Sequence, residues 1–157
     1  MKKLNVFIDG SCINSTNKEN AIGGWSYIIT DEHFNIINQD FGKLRIGNQD
    51  SVRAELEALN QALIHMKTIK DCKFHIYADY KCIVDSIKGF SKRIANREFW
   101  DSIEPLCIKL AGTFDISHIH SHDKNPKEDK ILRDLNKEAD MLARAGANSL
   151  VKVPVAV

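Results

Sequence analysis

The sequence predicts a single α/β domain in which a meander of strands leads, through helical crossovers, into further parallel strands. Three observations predict it. The first third of the chain holds three runs with strand-like periodicity, separated by polar connections; from Ser51 the apolar spacing changes to the three-and-four step of a helix; and alternation returns at Lys73 and at Phe114, each time ahead of a helical pattern. At 157 residues, with 43% hydrophobic and 27% charged residues, the chain is long enough to bury one core without staples.

The stretch 4–12, L-N-V-F-I-D-G-S-C, anchors this reading. Leu4, Val6 and Ile8 alternate with Asn5, Phe7 and Asp9, and apolar residues on both faces indicate a central, covered strand. Asp9 is expected where the strand stops, with Gly10 allowing a close turn and Ser11 keeping the exit polar. Alone, Asp9 reads as an ordinary strand-ending acid in a turn. A second strand is predicted over 23–29, a tight connection at Asp31 and Glu32, and a third strand over 34–41, followed by a loop with Lys43 and Arg45.

Val52, Leu56, Leu59, Leu63 and Met66 then form the apolar stripe of a helix over 51–68, with Asp50 or Ser51 as its cap. Glu55 lies one turn in, beside that stripe, whereas Glu57 takes the outward position. The fourth strand, 73–79, sets Phe74, Ile76 and Ala78 against His75, Tyr77 and Asp79, and ends in an acid as the first does. A helical crossover joins strands in parallel, and ligands of open α/β sheets gather at the carboxyl ends of such strands. If strands one and four are neighbours, Asp9 and Asp79 face each other, and two carboxylates that close need a cation or a shared proton.

A short helix over 80–88 ends at Gly89. Between residues 81 and 100 five bases, Lys81, Lys88, Lys92, Arg93 and Arg97, outnumber Asp85 and Glu98, a balance suited to phosphate, while Phe99 and Trp100 read as core aromatics. A helix over 97–111 contains Pro105, which should bend or split it. A fifth strand over 114–120 and a polar loop over 121–128 precede the last helix, 129–147. That helix turns Leu132, Leu135, Ala139 and Leu142 inward and sets Asn136, Asp140 and Ala143 along the adjoining ridge. Residues from about 148 to 157 read as an apolar tail.

Composition narrows the classes. No run reaches membrane-spanning length, and Met1-Lys2-Lys3 leads into a strand rather than a signal-peptide core, so a cytoplasmic protein that does not enter membranes is expected. Cys12, Cys72, Cys82 and Cys107 show no paired spacing and read as free thiols. The formal net charge of +1 conceals a basic remainder if four carboxylates are neutralised by divalent cations.

Asp9, Glu55, Asp79 and Asp140 fall on a strand, a helix, a second strand end and the final helix. With D-G-S-C (9–12), R-A-E-L (53–56), Y-A-D (77–79) and N-K-E-A-D-M-L-A (136–143), this order resembles ribonuclease H type 1 over nearly the whole chain. The resemblance implies a five-stranded mixed sheet, order 3-2-1-4-5, flanked by helices. It implies a monomeric endoribonuclease that cuts the RNA strand of an RNA/DNA hybrid and leaves 5′-phosphate and 3′-hydroxyl ends. The four carboxylates would hold two Mg²⁺ ions, with Mn²⁺ as a substitute: Asp9 bridging, Glu55 and Asp79 completing one site and Asp140 the other. Hard oxygen ligands suit Mg²⁺, and a pair of ions can activate water on one side of a phosphodiester and stabilise the leaving oxygen on the other.

By the same resemblance His122 matches a loop histidine that assists proton transfer or product departure, a task for an imidazole titrating near neutrality. His118, His120 and His122 also alternate as zinc ligands can, although the remaining histidines offer no spacing to complete such a site. Hybrid contacts are expected from Ser11, Asn14, Ser15, Asn17, Ser51, Lys81, Lys92 and Arg93. Several of these depart from the pattern. Ser51 and Val52 replace paired asparagines, Tyr80 and Lys81 follow Asp79 where Ser-Gln is common, and the basic protrusion is shortened to 90–95. Another nuclease of the same superfamily and a hybrid-binding module without catalysis are the alternative readings.

Overall fold

The computed structural model describes residues 1–13, 20–44, 49–89, 95–119 and 127–149. Among these residues nine elements follow in order: β1 (Lys2–Ile13), β2 (Ile22–Thr30), β3 (Ile36–Lys43), α1 (Ser51–Met66), β4 (Cys72–Ala78), α2 (Lys81–Lys88), α3 (Arg97–Lys109), β5 (Phe114–His118) and α4 (Lys127–Asn148). The strands form one mixed sheet in the order β3-β2-β1-β4-β5, as expected. β1 to β3 pair antiparallel, whereas β4 joins β1, and β5 joins β4, in parallel.

Alternation along β1 divides the interior between the two faces of the sheet. Leu4, Val6 and Ile8 pack with Tyr27 and Ile29 beneath α1 and α3, against Leu56, Leu59, Leu63, Phe99, Trp100 and Ile103. Phe7 and Ile28 face the other way, toward Ile119 and toward Leu135 and Ala139 of α4. All four cysteines are free. Among the described residues no helix is long and apolar enough to cross a membrane.

The strand boundaries differ from expectation where they matter most. β1 does not stop at Asp9: its ladder with β2 continues from Asp9↔Ser26 to Ile13↔Ile22, while its ladder with β4 ends at Ile8↔Ala78. Asp9 therefore marks the end of one of two ladders and remains in a strand. Gly10 makes no turn either, because a Cβ there would collide with the α1 backbone at Ala54 and Glu55. Phe34 belongs to a tight turn rather than to β3; its φ is 64°, and the Asp31 carboxylate accepts from the amides of His33 (2.8 Å) and Asn35 (2.9 Å). Pro105 does not split α3, and it lies on the exposed side of that helix. β5 ends at His118, and α4 begins two residues earlier than the pattern suggests.

Candidate metal centre

The site forms where the β4 ladder runs out. Asp9 is the first residue of β1 beyond that ladder, Asp79 follows the last residue of β4, and Glu55 approaches from α1 across Gly10. The absent side chain at Gly10 lets the helix backbone rest on the strand and brings Glu55 to the sheet. Each of the three acids offers a carboxylate oxygen within 4.8 Å of the other two. Asp9 is only 2% exposed and Glu55 6%, while Asp79 is half-buried.

Few donors reach this cluster. The Gly10 amide donates to Asp9 Oδ1 at 3.0 Å and also to the Glu55 carboxylate. Asp9 Oδ2 and Glu55 Oε2 are buried with no hydrogen-bond partner. Burial, then the Glu55 carboxylate and the charges of Asp79 and Asp140, hold the Asp9 carboxyl far above the usual range. Burial also raises Glu55, with Asp79 and Asp140 adding to the shift, and burial followed by Asp140 raises Asp79. Without a cation Asp9 and Glu55 keep protons at neutral pH.

Asp140 stands at the border of this group. It lies on α4, close enough to raise all three neighbours, but its Oδ2 is paired with Arg144 Nε at 3.1 Å and it remains half-exposed. Three of the four predicted acids thus converge, and the fourth adjoins them with an arginine in attendance. Unpartnered buried carboxylate oxygens, crowded without a neutralising base, fit a hard divalent cation better than a soft metal.

The other predicted residues are distributed around this centre. Ser11 is half-buried in β1, two residues beyond Asp9. Ser51 and Lys81 are exposed at the first positions of α1 and α2. Asn14, Ser15, Asn17, Lys92, Arg93 and His122 lie outside the described residues. Of the alternating histidines, His118 places Nε2 at 3.0 Å from the Asp79 carbonyl oxygen, whereas His120 and His122 lie outside the described residues.

Two residues that the sequence reading named without a role support the site. Arg53 is buried, stacks over the Phe99 ring at 4.8 Å and donates to Asn96 Oδ1 (3.3 Å) and to the Glu98 carboxylate, tying the helix that carries Glu55 to the start of α3. Its position one turn before Leu56, on the apolar side, was the available signal. Asn136 is 7% exposed and its side-chain amide donates to the Asp79 carboxylate. Its signal was the four-residue step to Asp140 along one helical ridge.

Comparison with known proteins agrees with this arrangement. The family model described as RNase H matches residues 1–148, a span that takes in every element from β1 to α4. A curated relative, the Ribonuclease H of Campylobacter curvus (strain 525.92), is 25% identical over 163 residues, covering 94% of each chain. Among solved structures, LC11-RNase H1, isolated from compost, superposes with a TM-score of 0.73 at 22% identity, over 94% of this chain and 97% of that one. The same LC11-RNase H1 in complex with RNA/DNA hybrid gives 0.71 at 21%, over 92% and 96%. These structures share the fold; the match of the family model over the whole element order, with the acids where the sheet opens, establishes that this chain belongs to the RNase H family.

Proposed function

We propose that this chain hydrolyses internal phosphodiester bonds in the RNA strand of RNA/DNA hybrids, using two Mg²⁺ ions and leaving 5′-phosphate and 3′-hydroxyl ends. The observation that carries the reading is the convergence of Asp9, Glu55 and Asp79 within 4.8 Å with two buried oxygens lacking partners. Asp9, Glu55, Asp79 and Asp140 would hold the ions, which when bound supply positive charge to activate water and to stabilise the departing oxygen. The chain's own residues do the rest. Gly10 fixes Glu55 against Asp9, Asp9 and Glu55 release the protons they retain when no cation is bound, and Arg144 pairs with Asp140 one turn along α4. His122 serves proton transfer or product departure. Ser11, Ser51 and Lys81, with Asn14, Ser15, Asn17, Lys92 and Arg93, contact the hybrid, which meets a cytoplasmic monomer.

The test is a cleavage assay on hybrid, duplex DNA and single strands, with Mg²⁺ and with EDTA. Cutting confined to the RNA of the hybrid and abolished by EDTA is expected, and Asp9→Asn should remove it while the protein still folds. Undiminished turnover by that variant would refute the assignment. Preferential cutting of duplex DNA would point to a related nuclease, and tight hybrid binding without cleavage to a binding module.

A further inference from the structure

We infer that Asn136 is a positioning residue of the metal centre: its amide orients Asp79, and its carbonyl oxygen accepts a hydrogen from the hydration shell of the divalent cation. The inference rests on the two-ion reading above and extends it to a residue outside the acidic quartet.

Asn136 sits on α4 one turn before Asp140, so the two side chains leave the same ridge of the helix. A carboxylate can only accept, so the NH₂ group of Asn136 is the half of the amide that faces Asp79. The other half of the amide, Oδ1, is buried and accepts from no group among the described residues. A buried carbonyl without a donor is destabilising, and an apolar side chain of similar size would remove that cost. The oxygen therefore stays unsatisfied until a donor enters the pocket beside Asp79. Asp9 Oδ2 and Glu55 Oε2 are in the same condition. A hydrated divalent cation supplies what all three lack: charge for the carboxylates and O–H donors for the amide.

A purely architectural amide, linking α4 to the end of β4, makes a different prediction. Its removal would lower stability and leave metal affinity alone. The test is calorimetric titration of Mg²⁺ into the substrate-free protein, for the unaltered chain, Asn136→Ala and the space-filling Asn136→Leu. It is paired with Mg²⁺ activation curves on hybrid and thermal melts in EDTA. Affinity should fall about tenfold in both variants, the size usual for the loss of an outer-sphere partner. Cleavage should recover at high Mg²⁺ with an unchanged KM for hybrid, and melting in EDTA should be unchanged or higher for Asn136→Leu. A folded variant that binds Mg²⁺ as tightly as the unaltered chain overturns the inference, and so does failure of both variants to fold, which would make Asn136 architectural. If the unaltered protein binds no Mg²⁺ and cuts no hybrid, the proposed function itself has failed, a result read before any variant is made.

Discussion

Three carboxylates share a pocket with almost no neutralising base, so the residues that define this site oppose the fold that holds them. Asp9 and Glu55 have carboxyl groups raised well above the ordinary value, first by burial; Glu55 then adds to the shift of Asp9, and Asp79 and Asp140 add to that of both. A raised acid holds more protons folded than unfolded, so stability is lost as pH climbs from the unfolded value, about 4, toward the folded one. In EDTA the melting temperature should therefore fall steadily between about pH 5 and pH 8. Saturating Mg²⁺ should flatten that slope, because the cation binds the folded, deprotonated site. Thermal melts across pH in the two buffers measure it, and parallel curves would contradict the burial of these groups. At this scale the acids were legible through their order and neighbouring motifs, which carry the family resemblance. Asn136 and Arg53 were visible beside two of those acids, but their roles were not, because a hydrogen bond between distant elements leaves no trace in periodicity.

Helix α1 owes its place to a missing side chain. Asp-Gly after an apolar run reads as a turn, but Gly10 is extended, paired with Trp25, and close enough to the helix that a methyl group would enter the Ala54–Glu55 backbone. Sequence cannot tell whether a glycine serves an unusual backbone angle or simply leaves room, and the end of β1 was misread for that reason. Pro105 carried a similar ambiguity, resolved by its exposed position in α3. Gly10→Ala should push α1 outward at Glu55. We expect a loss of about 1–3 kcal/mol in urea unfolding, the usual cost of overpacking, together with weakened Mg²⁺ binding as Glu55 leaves Asp9. Weakened metal binding separates displacement of the acid from simple destabilisation. A variant that loses stability but keeps its affinity would show that α1 moves without carrying Glu55 away.

Across the whole molecule the site exists because α1 lies on one face of the sheet and α4 on the other, and both deliver acids to the gap beyond β4. The strand order came from the family resemblance, and parallel joining across the crossover over 51–68 was legible in the pattern itself. The depth of α4 was not. That helix lies directly on β2 because Gly24 has no Cβ; one there would collide with the Ala143 carbonyl and the Ala147 amide. Asp140 and Asn136 ride on this seat. Gly24→Ala should lift the C-terminal half of α4, lower stability by about 1–3 kcal/mol, and weaken Mg²⁺ binding through the loss of both residues. Gly112→Ala provides the control: its φ of 79° strains any other residue, but open space surrounds it, in the turn before β5 and away from α4. It should lose about 1 kcal/mol or more in the same unfolding experiment while binding Mg²⁺ as before. If the two variants instead lose metal affinity in proportion to stability, the centre depends on the global fold alone, and the seating of α4 on Gly24 has no separate part in placing its acids.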